Sequence, residues 1–365
     1  MPVSQVSLTQ IAEIAHVSRA TVSLALRGKP QISESLGRQI RALADRLGYQ
    51  PNPLVSAHMA YVRRPRRAPA LQRLAFVSPF SESEIVASRL PHRVFLRAAA
   101  ERARHLGYEF EAHRLPGDSA GVRQLERTLL RRKVGGLIFP PFNERAAVAG
   151  LELELQPFAA VMIEHAFVEP RLHKVCVDQF SGVCRLLQRL LDYGYRRIGI
   201  ALPRHMDEHA NHSWLAGYSI FRELCAPEAR VPHLITDEWT AENFLAWHRH
   251  WRPEAIVTID ADILGWLAGA GFRVPEDVAC ATLSWTRRAP EFGGCYQNCE
   301  VVGAAAVDQV AGQLFRNERG VPVEQRTLLV DAGWREGATV PRRTAEGAAS
   351  TLRLSVREAV AVAAS

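Results

Sequence analysis

The chain lacks the marks of several large protein classes. None of its apolar runs reaches the roughly eighteen residues needed to cross a bilayer, so no membrane-spanning helix is expected. Its first ten residues, MPVSQVSLTQ, hold no basic segment followed by an apolar one; a secretory signal is not expected, and the reading is a cytoplasmic protein. Only six cysteines are present (Cys176, Cys184, Cys225, Cys280, Cys295 and Cys299), scattered and without a CxxC pair, which points to free thiols instead of a disulfide framework. Cys295 and Cys299 have no nearby histidine or cysteine to complete a tetrahedral set, so neither a metal nor another cofactor is expected. There is no GxxxxGK[ST] loop, no GxGxxG after the first strand, no HExxH and no GxSxG elbow, and an enzyme is not expected. His205, His209 and His212 in HMDEHANH share a helical spacing, but nothing else converges on them, and a solvated helix start accounts for them.

What remains is a globular composition, 47% hydrophobic and 23% charged, in a chain of 365 residues, long enough for two or three domains. The net charge of +7 is sharply located. Residues 1–70 carry ten Lys and Arg (Arg19, Arg27, Lys29, Arg38, Arg41, Arg46, Arg63, Arg64, Arg66, Arg67) against three acids, and the rest of the chain has 35 of each sign. A basic terminal module joined to a neutral partner is the electrostatic footprint of nucleic-acid binding.

The first fifty residues read as three short helices. Leu8, Ile11, Ala12 and Ala15 recur at helical spacing behind Ser7; His16 and Val17 break the pattern, and Ser18 starts a second run with Val22, Ala25 and Leu26 inward. The third begins at Ser33, carries Ile40, Leu43, Ala44 and Leu47 on one stripe and ends at Gly48. A tight turn before the second helix makes this a helix-turn-helix, whose second helix enters the major groove of DNA. With Val22, Ala25 and Leu26 in the core, Arg19, Ala20, Ser23 and Leu24 face outward, one forked donor suited to guanine beside small groups suited to methyl or phosphate contact.

LTQIAEIAHVSRATVSLALRG, the IS that opens the third helix and LGYQPNPLVSA closely resemble the DNA-binding headpiece of the LacI/GalR family of bacterial transcription regulators. By that resemblance Arg19, Ala20 and Leu24 take base-reading positions, and Ser7, Ser18, Ser23, Arg27, Gln31 and Tyr49 take phosphate positions; Thr21 and Ser33 complete the candidate set on the two helices. His16 departs from the small turn residue usual in the family, yet histidine tolerates a left-handed backbone. In YQPNPLVSAHMAYVRRP, Asn52 is a preferred N-cap and Pro53 falls at the first helical position, so a short, marginal helix from Leu54 to about Ala60 is expected. The family's hinge helix wedges a leucine into the minor groove; His58 aligns with it, and His58, Met59 and Leu54 are the candidates for that task here.

Beyond residue 70 short apolar runs alternate with amphipathic ones. RLAFVSP, YEFEAHRL, GGLIFPP and FAAVMIE read as buried parallel strands, with helices over 92–106 and 121–132. KVCVDQ, RRIGIAL, EAIVTI and DVACATL follow as strands, with helices around 180–193, 209–225, 240–250 and 261–270. This is an α/β pattern of doubly wound parallel sheets, in which ligands bind beyond the carboxyl ends of the strands. LGYEFE, KVGGLIF, LLDYGYRRIGIA, WLAGY, GFRVPEDVACATL and GAAAVDQVAGQLF resemble the same family in order, so the resemblance covers about residues 7–335 and implies a two-lobed, periplasmic-binding-protein-like core closing on a small effector.

The expected domains are a helix-turn-helix headpiece over 6–50, a hinge helix and basic linker over 51–70, an effector-binding and dimerisation core over 71–341, and a disordered tail over 342–365. Strand-end residues supply the candidate effector pocket: Ser78, Phe80, Phe142, Glu164, Asp178, Trp214, Asp260 and Trp285. Aromatic faces among hydroxyls and carboxylates suit a sugar, and core packing is the alternative for each aromatic. Where many sugar-responsive members have an arginine and an aspartate, this chain has Trp214 and Ser284 or Trp285, so the effector's identity is not carried over. The expected partners are double-stranded operator DNA, a sugar-like effector and a second copy of the chain, with no membrane. A two-lobed regulator that senses a protein partner, or a solute-binding protein without regulatory role, are the rival readings; the headpiece argues against the latter.

Overall fold

The computed structural model describes residues 6–26, 32–49, 73–81, 84–85, 91–141, 152–165, 169–286 and 289–343. It divides into two compact units, at residues 1–69 and 70–365.

The first unit contains helices α1 (Leu8–Ile14), α2 (Arg19–Leu26) and α3 (Glu34–Arg46). Each starts and stops for a local reason. The Ser7 hydroxyl accepts the Gln10 N–H while the Gln10 side chain accepts the Ser7 N–H, a reciprocal capping box. Ser18 Oγ likewise accepts the Thr21 N–H at 3.0 Å and opens α2. Between them His16 adopts φ +52°, the left-handed turn conformation. Gly48, at φ +68°, ends α3 in a Schellman turn, with Tyr49 N–H donating to the Ala44 carbonyl and Gly48 N–H to that of Asp45. Ile11, Val22, Ala25, Ile40 and Ala44 form the buried core, with Leu26, Leu43, Leu47 and Tyr49 packed around it.

The second unit has two lobes. In the first, strands β1 (Arg73–Ser78), β2 (Glu109–Arg114), β3 (Val134–Phe139), β4 (Ala159–Ile163), β5 (His173–Val177) and β11 (Thr327–Val330) form a parallel sheet in the order β11-β5-β4-β3-β1-β2. Helices α4 (His92–His105) and α5 (Ser119–Arg131) cover it. The second lobe is built from α6 (Gln179–Asp192), β6 (Ile198–Pro203), α7 (Arg204–His209), α8 (Ser213–Leu224), β7 (Leu234–Thr236), α9 (Ala241–Trp251), β8 (Ala255–Thr258), α10 (Asp262–Gly269), β9 (Ala279–Thr282), β10 (Gly293–Tyr296) and β12 (Gly333–Arg335). Its sheet runs β12-β10-β9-β8-β6-β7, with only β12 antiparallel to its neighbour.

Helix α11 (Cys299–Arg316) carries the chain back into the first lobe. There Gly303 lies so close to α4 that a Cβ would fall 2.7 Å from the Phe95 carbonyl oxygen. Buried Gln313 spans the backbone of Ala160, accepting its N–H at 2.9 Å and donating to its carbonyl at 3.1 Å. The chain therefore passes between lobes three times, after β5, after β10 and after β11. Hydrogen bonds tie these crossings together: Asp178 N–H donates to the Val330 carbonyl at 2.8 Å, and the Asn298 amide to that of Asp331 at 2.6 Å.

Several elements differ from the sequence expectation. β2 is an edge strand whose residues are half-buried or exposed, because only one side of it is paired and its charged residues bond across the edge, Arg132 to Glu111 at 2.8 Å for one. The helix expected around 209–225 is α8 and starts at Ser213; the short α7 precedes it, and Asn211 and His212, at φ of +52° and +58°, separate the two. His212 thereby leaves the face of His205 and His209 and bonds Asp207 instead. β7, β10, β11, β12 and α11 were not legible as elements. Packing continues to Arg343, whose N–H donates to the Tyr193 carbonyl and whose guanidinium lies 4.3 Å from the Tyr195 ring centroid. The tail from residue 344 lies outside the described residues.

Candidate DNA-reading surface and effector pocket

In the headpiece, burying Val22 and Ala25 leaves Arg19 and Ala20 exposed on the first turn of α2, with Thr21, Ser23 and Leu24 half-buried beside them. Ser7, Ser18 and Ser33 stand at the starts of the three helices, where free backbone N–H groups and the helix dipole favour an anion. The Ser7 and Ser18 hydroxyls already cap, so they serve the fold first. Ser33 is exposed and makes no side-chain cap. Tyr49 packs half-buried against the headpiece core. Arg41, which the sequence pattern did not single out, donates to the Ala25 carbonyl at 2.9 Å and pins the end of α2 to α3. Arg27, Gln31, Asn52, Leu54, His58 and Met59 lie outside the described residues, as does Phe142.

The remaining effector candidates sit at or just past carboxyl ends of strands except Trp214, which falls in the first turn of α8, beyond α7, and their environments diverge. In the first lobe, Ser78 ends β1 fully buried and accepts the Phe80 N–H at 3.2 Å. Phe80 meets His92 edge to face at 5.5 Å. His92 was not foreseen; it is buried, its Nε2 bonds the Pro141 carbonyl, and its Nδ1 has no hydrogen-bond partner. Burial holds its pKa below the ordinary imidazole value. Glu164 follows β4 at φ +56°, and its carboxylate accepts the Val177 N–H at 2.8 Å. Burial outweighs that bond and raises the carboxyl to about 7.

The second-lobe candidates are engaged with their own lobe. Asp178 caps α6, accepting the Ser181 N–H at 2.9 Å and its hydroxyl at 2.7 Å. Trp214 is a core residue, 3% exposed, whose indole donates to Gln179 at 3.0 Å. Asp260 accepts the indole N–H of Trp239 at 2.6 Å. Trp239, missed in the sequence because the three-residue strand before it was missed, lies 5.5 Å from Trp266 and offers a half-buried aromatic wall beside that carboxylate. Trp285 stands 5.8 Å from Tyr296 in a T-shaped pair with the Arg335 guanidinium over both rings, and its indole nitrogen has no hydrogen-bond partner. A separate cavity of about 670 Å³, lined by Leu264, Phe272, Pro275 and Glu291 among others, lies toward the opposite, amino-terminal end of β9.

A helix-turn-helix unit with an exposed reading turn, followed by two doubly wound lobes joined by three crossings, defines a DNA-binding regulator with a periplasmic-binding-protein-like core. Comparison with known proteins agrees. Residues 7–52 match the bacterial regulatory proteins of the lacI family, and residues 187–340 match the periplasmic binding protein-like domain. The HTH-type transcriptional regulator PtxS of Pseudomonas plecoglossicida is 29% identical over 207 residues, 56% of this chain and 55% of that one, so the alignment spans about half of that relative. Catabolite control protein A of Priestia megaterium is 22% identical over 83% of this chain and 90% of its own. In fold, the chain is similar to the crystal structure of the lac repressor dimer bound to operator and an anti-inducer, with a TM-score of 0.51 and 19% identity over 93% of this chain and 100% of that one. The chain thus joins a lacI-family helix-turn-helix domain to a periplasmic-binding-protein-like domain, as in regulators of the lacI family. Its relatives are regulators, not enzymes, and no helix among the described residues is long and apolar enough to cross a membrane.

Proposed function

We propose that the protein is a repressor that binds a pseudopalindromic operator as a homodimer, each headpiece reading one half-site, and that a small effector of the sugar class controls the binding from the cleft between the lobes. The observation that carries the DNA reading is the exposure of Arg19 and Ala20 on a turn whose other side is the headpiece core. Arg19 reads a base; Ala20 and Leu24 contact base edges; Ser7, Ser18, Ser23, Ser33 and Tyr49 hold phosphates. The effector reading is supported by the aromatic wall of Trp239 beside Asp260, by Trp285 with its unpartnered indole nitrogen, and by Ser78, Phe80 and Glu164 at strand ends of the other lobe. The dimer, operator and anti-inducer of the lac repressor structure lend it the same support.

Selection from a random duplex library would supply the operator. Arg19→Ala should then weaken operator binding by about 1–3 kcal/mol, while non-specific binding falls much less. Equal losses on both would remove Arg19 from base reading. Neutral sugars and related metabolites, screened by thermal shift, should raise the melting temperature of the core and change operator affinity. A screen in which no metabolite does so while a protein partner does would replace the small-molecule effector by that partner.

A further inference from the structure

Three donors of different chemistry converge where β4 and β5 end. A carboxylate oxygen of Glu164, a ring nitrogen of His165 and the thiol sulfur of Cys176 all lie within 4.8 Å of one another. The backbone makes this possible. Successive residues of a strand point to opposite faces, so Glu164 and His165 should diverge. Glu164 instead adopts the left-handed region at φ +56°, which is strained for a non-glycine residue, and the turn lets both neighbours reach the same residue on β5. Cys176 is 3% exposed, whereas Glu164 and His165 are half-buried, so the cluster is enclosed on the sheet side and accessible from the other. Glu164 uses one carboxylate oxygen on the Val177 N–H and keeps the second. Lys174, two residues before Cys176 on the same face of β5, places its ammonium 3.3 Å from His165 Nδ1. A cationic group supplied by the chain itself thus already sits on one of the three donors.

We propose that Glu164, His165 and Cys176 form a binding site for a borderline divalent transition-metal ion of the zinc class. Thiolate, imidazole and carboxylate together are the donor mix that such ions take, at bond lengths of about 2.0–2.3 Å, whereas calcium and magnesium take oxygen sets. Those bond lengths put tetrahedral ligands roughly 3.3–3.8 Å apart, so side-chain rotations need close the donors by at most about 1.5 Å. Three protein ligands leave the fourth position to water. The ion displaces the Lys174 ammonium from His165, and Cys176 binds as the thiolate: the S–H bond breaks, the metal–sulfur bond forms and the proton leaves to solvent. Because Glu164 is also an effector candidate, ion and effector draw on one carboxylate. The site itself does not depend on the effector reading, and its test uses neither effector nor DNA.

The test is titration of the metal-stripped full-length protein with Co²⁺, followed by Zn²⁺. One Co²⁺ per chain should bind with a near-ultraviolet thiolate-to-metal absorption band, and Zn²⁺ should abolish the band. Cys176→Ser should remove the band, and Glu164→Gln should weaken binding by at least about tenfold, the cost of losing even an outer partner of a metal site. Lys174→Met should tighten binding, a gain that misfolding does not produce. Absence of the band in the parent protein, its survival in Cys176→Ser, or weaker binding in Lys174→Met would overturn the proposal. So would binding lost only in His205→Ala or His209→Ala, since those exposed rings, 6.1 Å apart on α7, would then be the site.

Discussion

The headpiece and the lobes treat their functional side chains in opposite ways. In the headpiece the proposed reading residues Arg19 and Ala20 stand out from a core made by their own neighbours, and among the candidates the side chains engaged by the fold include the caps, Ser7 and Ser18. In the lobes nearly every strand-end candidate is bonded to something close by: Asp178 to Ser181, Trp214 to Gln179, Asp260 to Trp239 and Glu164 to Val177. A surface that reads a polymer edge needs donors projecting into solvent. A pocket that encloses a small molecule needs groups held still in advance, because ordering them on binding would cost affinity.

The sharpest way to break this comparison is at Trp214. As a core residue its replacement by alanine should destabilise the second unit by about 3–5 kcal/mol, read by denaturant unfolding. Unchanged stability with altered effector response would return Trp214 to the pocket. The next largest effect is expected in the headpiece. Ile40→Ala, at a fully buried position, should cost about 2–5 kcal/mol and abolish operator binding while the melting of the second unit stays the same. Loss of both would show that the two units do not fold separately.

A smaller effect should appear at Glu254, which joins the start of β6 to the segment after β12 by accepting the Arg196 and Arg197 N–H groups and pairing with Arg343 at 3.2 Å. Burial raises its pKa, but those hydrogen bonds and the Arg343 guanidinium outweigh it and hold the carboxyl below its ordinary 4.5. A depressed carboxylate adds stability above the unfolded value and loses it as pH falls through the folded one. Because the pair is about a third exposed, Glu254→Gln should cost about 1 kcal/mol at pH 7, and the difference should shrink as pH drops below 4.5. A cost independent of pH would assign it to packing instead.

The headpiece was readable because its signals are local. Caps, apolar spacing and the turn at His16 act within four residues of one another, and the same spacing that buried Val22 and Ala25 exposed Arg19. The parallel strands were readable as apolar runs for a similar reason, though β2 took an edge place that its composition does not announce. The crossing segments were not. β10, β11 and β12 are three or four residues long and owe their existence to strands far away in sequence. His92 and Trp239 were missed with them, since each gains its meaning from a partner, Phe80 or Asp260, supplied by another segment.

By itself, then, the amino-acid order determined a basic three-helix reader and a run of α/β units, because capping, periodicity and turn chemistry are short-range. Only the tertiary structure decided which of the candidate side chains are core and which stay half-exposed. Trp214 and Trp239 are the same residue type, yet one, in the first turn of α8, is sealed in a core with Val183, Tyr218 and Phe221 and the other, in the loop after β7, stands half-open beside Asp260. The difference lies in what long-range packing brings against each ring. The meeting of Glu164, His165 and Cys176 has the same origin: a left-handed residue at one strand end, and a neighbouring strand whose register brings the thiol within reach.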